Sequence, residues 1–306
     1  MKYHLIALFT VFVWGITFVS TKVLLVDFSP FWILLLRFAV GFLGLCVLRP
    51  HILALKERRH ELLFVAAGAT GVAAYFLMEN IALQWATATA VGVIVATAPL
   101  FTALFQAVLG DRSALSGRFF LGFIVAMTGL IAVGLGSTGA GALLSWDTAS
   151  LLGYLLALGA AVVWAIYSLL VKRIGDLGYE TVAATKRIFL WGLVFIVPVT
   201  LLFGGSAPAA SSFTDPINTA NLLFLGAVAS AACFVTWGVA VKHLGATTTT
   251  AYIYLVPAIT ATASILILGE PLNALIVTGI ALTIAGLALS QSKKTKERPP
   301  MKRPTV

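Results

Sequence analysis

Apolar residues run along this chain in stretches of about twenty, broken by short clusters of charge, proline and glycine. Ten stretches stand out, at 4–26, 30–49, 61–84, 88–109, 118–136, 151–173, 181–203, 221–243, 247–268 and 272–290. A helix needs roughly 20 mainly apolar residues to cross the hydrocarbon core of a bilayer, so the pattern predicts an all-α membrane protein of ten transmembrane helices. Turn chemistry supports the breaks. Asp27-Phe28-Ser29-Pro30 puts a proline in the first turn of the second helix, and Glu270-Pro271 is expected to open the tenth in the same way. Gly204 to Ala220 is rich in Ser, Ala, Pro and Gly without apolar periodicity, which predicts a flexible link.

Composition agrees: 60% of the 306 residues are hydrophobic, 10% are charged, and the mean hydropathy is +1.03. A soluble chain keeps about a quarter of its residues charged, so this one is dissolved in lipid. A net charge of +9 would suit nucleic acid, but the distribution argues for a lipid bilayer as partner and against nucleic acid. The N-terminus and the even-numbered connections carry Lys2, Arg49, Lys56, Arg58, Arg59, Arg112, Arg118, Lys172, Arg173 and Lys242, and the tail adds Lys293, Lys294, Lys296, Arg298, Lys302 and Arg303. The odd-numbered connections carry none. By the positive-inside rule both termini face the cytoplasm of a bacterial-type inner (plasma) membrane, and the tail, 292–306, is a basic anchor. The first stretch follows Lys2 as a secretory signal would, but it continues to Val26 and predicts a retained span. Cys46 and Cys233 lie in apolar stretches without a Cys or His neighbour at metal-ligand spacing, so no metal or cofactor is expected.

The chain repeats itself. An offset of 150 carries Leu5, Ala7, Leu8, Val13, Trp14, Ile16, Lys22 and Arg37 onto the same residue types at Leu155, Ala157, Leu158, Val163, Trp164, Ile166, Lys172 and Arg187. An offset of 158 pairs Ala82 with Ala240, Ala88 with Ala246 and Pro99 with Pro257, and 157 pairs Gly122 and Gly129 with Gly279 and Gly286. Each unit holds five predicted helices, an odd number, so the second, 150–291, is expected upside down relative to the first, 1–140. Inverted repeats are a recurring architecture of secondary transporters, where one pseudosymmetric fold can close on either side of a midplane site.

The run Phe12-Val13-Trp14-Gly15-Ile16-Thr17-Phe18 with Lys22, Arg37-Phe38, Ala82-Leu83 before Thr87-Ala88, Ala98-Pro99-Leu100, and Leu268-Gly269-Glu270 together resemble the EamA-type branch of the drug/metabolite transporter superfamily. The resemblance covers essentially the whole chain. It implies a five-plus-five inverted fold, a cavity lined chiefly by helices 1, 3, 4, 6, 8 and 9, and export of amino acids, other small metabolites or lipophilic cations. Leu109-Gly110-Asp111 departs from the Gly-Glu pattern expected in the first repeat.

Glu79, in Tyr75-Phe76-Leu77-Met78-Glu79-Asn80, places a carboxylate in a membrane stretch, at a cost of about 2.5 to 3.5 kcal/mol on insertion scales. It is either a proton-coupling or cation-recognition group, or else a structural or hydrated acid close to Gln84; its repeat mate is Trp237. Lys22 is near enough to a helix end to snorkel, and Arg37 is expected to pair with Glu79 or a backbone carbonyl. A gate pair that swaps on opening is the alternative for both. Pro99 and Pro257 each free a backbone carbonyl at equivalent positions, as paired breaks at a binding region do. Trp14, Tyr75, Trp164, Tyr167, Trp237 and Tyr254 are candidate cavity aromatics alongside Glu79, and Thr250, Tyr254, Pro257, Ala261 and Ser264 mark one face of the ninth helix. Such a cavity suits a zwitterionic aromatic molecule or a lipophilic cation.

The competing class is a membrane-embedded enzyme acting on lipids. His4, His51, His60 and His243 all lie at helix ends or in loops, no acidic pair lies within a stretch, and neither a phosphate-cradling loop nor an H-E-x-x-H motif occurs. Without ATP machinery, transport is expected to be secondary, with the proton as candidate coupling ion. A channel on the same repeat is the remaining alternative.

Overall fold

The computed structural model describes residues 1–110, 115–138, 148–244, 249 and 252–290, and among them no strand forms. Ten helices follow one another: α1 (Lys2–Leu24), α2 (Pro30–Leu48), α3 (Arg58–Trp85), α4 (Ala88–Val108), α5 (Gly117–Thr138), α6 (Thr148–Asp176), α7 (Thr181–Phe203), α8 (Pro216–Leu244), α9 (Tyr252–Leu268) and α10 (Ala274–Ser290). Seven of them, α1 to α4 and α6 to α8, are long and apolar enough to cross a membrane. The apolar part of α5, Gly117–Val133, and the whole of α9 and α10 are shorter. Asp111, Arg112, Ala246, Thr250 and the basic tail, 292–306, lie outside the described residues.

The interior is largely apolar but also holds polar and charged side chains, while large apolar side chains cover the outside, unlike the surface of a water-soluble protein. Thr10, Ser20, Arg37, Glu79, Asn80 and Ser230 are buried, whereas Leu43, Val47, Ile124, Val194, Leu201 and Leu266 are exposed. That arrangement suits a hydrocarbon solvent, which gains nothing from hiding leucine and penalises an exposed amide or charge.

Local chemistry sets the helix ends. Asp215 accepts from the backbone N–H groups of Ile217 and Asn218, and Pro216 occupies the first turn, so α8 begins inside the stretch expected to be a flexible link. That link also contains a helical turn, Ala210–Thr214. The Asp-Pro pair was the signal for order here. α10, by contrast, starts later than expected: Asn273 accepts from Ile276 N, and Pro271 stays outside the helix. Thr87 caps α4 and Glu180 caps α7.

Glycines set the tightest packing. A methyl group on Gly122 would collide with the Gly286 carbonyl and the Ser290 backbone, and one on Gly129 would collide with Thr283 and the Gly279 carbonyl, so α5 and α10 touch backbone to backbone. The pairing is antiparallel and joins each glycine to the repeat mate of the other. A second matched pair was missed in the sequence: Gly68 of α3 and Gly226 of α8 are 158 apart. Gly68 opens the π-helical part of α3, Gly68–Ala74, and Gly226 lies within that of α8, Phe224–Ala232. A Cβ on Gly68 would lie 2.7 Å from Gly192 N of α7, and one on Gly226 would lie 3.0 Å from the Arg37 carbonyl of α2.

A candidate binding site among buried aromatics and charges

A cavity of about 40 Å³ lies midway along the bundle, with Arg37, Tyr75, Glu79, Trp14 and Trp164 in its wall. By the usual measure this is room for about three waters. Its remaining wall comes from Thr17, Phe18, Phe76, Val95, Ala96, Ala98, Ile253 and Val256. The lining helices are therefore α1, α2, α3, α4, α6 and α9. This corrects the expected set, since α2 contributes Arg37 and α8 contributes nothing to this wall.

The helix breaks explain how backbone reaches the cavity. α4 is interrupted at Ala96 and Thr97, with Pro99 in the first turn of the segment that follows. α9 opens with a 3₁₀ turn, Tyr252–Leu255, before Pro257 takes the same position. A proline in a first turn lacks only an N–H that the turn leaves unpaired, so each helix resumes directly beside the cavity. Non-helical backbone at membrane depth is tolerated where it lines a cavity.

Of the candidate aromatics, Trp14, Tyr75 and Trp164 line the cavity. Trp237 packs tilted against Trp14 at 4.9 Å and Tyr167 against Trp164 at 5.0 Å, so both support the wall from behind. Tyr254 is buried, but the wall at this point is built by its neighbours Ile253 and Val256. Trp14 is held by its indole N–H, which donates to the Ala229 carbonyl at 3.1 Å. Phe76 and Phe234, also 158 apart, join the cluster with centroids 6.2 Å apart. Their pairing was visible in the repeat and was overlooked.

Glu79 is 1% exposed and Arg37 is fully buried. Tyr75 and Glu79 share the cavity wall, and Glu79 Oε1 is buried without a hydrogen-bond partner. Arg37 donates from Nε to Ser230 Oγ at 3.1 Å and lays its guanidinium over Phe76 at 4.2 Å, while one Nη1 has no partner. The expected Arg37–Glu79 pair is therefore not formed: the charges feel each other across the cavity without direct contact. Arg37 is instead satisfied on one edge by a hydroxyl and on one face by a ring.

Lys22 reaches toward a helix end. Its ammonium donates to the Ala86 carbonyl in the turn between α3 and α4. Beside it the Glu270 carboxylate accepts from Ala88 N at 2.7 Å, Thr89 N at 3.2 Å and Thr89 Oγ1 at 2.8 Å, capping α4 across 182 residues of sequence. These contacts close one end of the bundle by joining α1, α4 and the turn before α10. Glu270 was recognised only as part of a motif, because nothing local to it reveals a partner so distant. At the opposite end of α4 a crevice of about 660 Å³ opens between α4 and α6, lined by Gln106, Leu109, Ile166, Leu170, Lys172 and Arg173 among others.

This geometry accords with comparisons to known proteins. The sequence profile of the EamA-like transporter family matches the chain twice, over residues 1–135 and 151–291. An "uncharacterized transporter" of Archaeoglobus fulgidus is 26% identical, with 96% of this chain and 98% of that protein aligned. A "probable terminal-alkyne amino-acid exporter" of Streptantibioticus cattleyicolor is 30% identical over 92% of this chain and 90% of its own. A "probable amino-acid metabolite efflux pump" of Escherichia coli is 26% identical over 94% of each. A crystal structure 21% identical in sequence superposes with a TM-score of 0.66 over 94% of this chain and 96% of that one, a likeness of fold. With the family profile on both halves and transporters along its full length, the chain belongs to the EamA-like transporter family and is a membrane transporter, not an enzyme.

Proposed function

We propose that the protein is a secondary carrier of the inner membrane that exports a small metabolite, an amino acid or a lipophilic cation, by alternating access. In this reading ten spans form two inverted five-helix repeats, 1–140 and 150–291, with both termini in the cytoplasm. The antiparallel glycine contacts of α5 with α10, and the meeting of Trp14 with Trp164 and of Phe76 with Phe234, support the inversion. Residues that lie near an axis of twofold symmetry approach their own mates.

The observation that carries the reading is the position of the charged cavity. It lies between an end closed by Lys22, Ala86, Glu270 and Thr89 and an end where a larger crevice opens. A carrier needs such a closed central site and one face open at a time. The relatives named as amino-acid exporters support the substrate class and the direction.

Glu79 is the coupling group in this account. A carboxylate without a full set of partners can take up a proton or a cation as the site changes its exposure. Purified protein in proteoliposomes tests this. Glu79→Gln is expected to abolish transport driven by a pH gradient while leaving exchange at equal pH largely intact. Wild-type rates in both assays would make the acid structural.

A further inference from the structure

Arg37 and Arg187 occupy equivalent places in the two repeats, yet their surroundings differ in one decisive respect. Every nitrogen of the Arg187 guanidinium is engaged: Nε donates to Glu61 Oε1 at 2.9 Å, Nη2 pairs with Glu61 Oε2, and Nη1 donates to the Leu53 carbonyl at 3.0 Å. Trp191 adds a further bond to the same carboxylate at 2.6 Å. Arg37 has no such acid. Ser230 fixes its Nε and Phe76 fixes its plane, which leaves Nη1 buried, oriented and without a partner in the wall of the cavity.

A planar guanidinium held on one edge and one face, with donors left over, is suited to receive a carboxylate. Buried donors in native proteins are nearly always paired, and the cavity in front of Nη1 has room for an exchangeable acceptor, water at rest and a carboxylate when substrate enters. Resting on the carrier reading above, we propose that Arg37 receives the substrate's carboxylate and so makes the site select zwitterionic amino acids over amines of the same side chain. The amine then faces the rings of Trp14 and Trp164 and an oxygen of Glu79, all on the same cavity. The cavity of about 40 Å³ is too small for a whole amino acid, so in this proposal the side chain is accommodated against the aromatic wall as the bundle opens. A purely cationic substrate would leave the free guanidinium donors unpaired beside a second positive charge, and the site would reject it.

Exchange in proteoliposomes at equal pH tests this, with alanine, leucine, phenylalanine and tryptophan compared with the amine that each gives on loss of its carboxylate. Wild-type protein should exchange at least one amino acid with a KM at least tenfold below that of its amine. Arg37→Gln should raise the amino-acid KM tenfold or more and leave the amine unchanged or improved, which also shows that the variant is folded. Ser230→Ala, which frees Nε, should raise the amino-acid KM about threefold, whereas Arg187→Gln should leave the preference as in wild type. A wild-type preference for the amines, or an equal loss of both probes in Arg37→Gln with Arg37→Lys no better, overturns the assignment and leaves the carrier standing. Failure of wild-type protein to exchange any probe overturns both.

Discussion

Trp14 and Trp164, 150 residues apart, meet edge to face with ring centroids 5.6 Å apart and planes at 88°. Each ring comes from the first helix of its half, and together they form a partition between the cavity and the aromatic residues behind it. Edge-to-face pairs contribute about 0.5–1.5 kcal/mol beyond the area they bury. Substitution of each by Leu, alone and together, should therefore give a coupling of about 1 kcal/mol in unfolding by denaturant in detergent. Strict additivity would mean that the rings merely adjoin.

The closed end should depend on Glu270 more than on any residue of the helix it caps. Glu270→Ala removes three charge-assisted bonds to Ala88 and Thr89, worth about 1.5–3 kcal/mol together if the bonds are made only in the closed state. A loss of 1.4 kcal/mol is tenfold in an equilibrium. A cysteine replacing Thr17 in the cavity wall should then react at least tenfold faster with a polar thiol reagent added from the side of Lys22. An unchanged rate would show that the cap serves folding alone.

The contact of α5 with α10 has no room for a side chain at its centre. Gly129→Leu should cost more than about 3 kcal/mol or prevent assembly, since overpacking by even a few methylenes costs about 1–3 kcal/mol. Gly117→Ala, where nothing lies within 4 Å of an added methyl, should change stability by less than about 0.5 kcal/mol. Thermal midpoints of the two variants in one detergent would decide it. Equal midpoints would contradict the close approach.

Much of this fold was legible in the sequence because hydrocarbon is an undemanding solvent to read. A run such as Pro30–Leu48 announces its own length, and Ser29-Pro30 its start. The tryptophans 150 apart and the glycines 157 apart also stood out, since few residue types recur by chance in apolar helices. What the sequence hid were relationships fixed only in three dimensions. Nothing near Arg37 shows that its donors stay free, and nothing near Arg187 shows that Glu61 occupies them. The same holds for Glu270, whose partners lie on α4. The early start of α8 is a different case, because Asp215-Pro216 carried the information and the surrounding Ser, Ala and Gly residues masked it.

The account rests on two halves that face opposite ways, and one labelling measurement tests it directly. Single cysteines replacing Lys22 and Lys172, in a chain otherwise free of cysteine, can be treated with an impermeant thiol reagent in sealed right-side-out and inside-out vesicles. The account predicts that position 22 reacts only in right-side-out vesicles and position 172 only in inside-out ones. Reaction of both positions from the same face would contradict it.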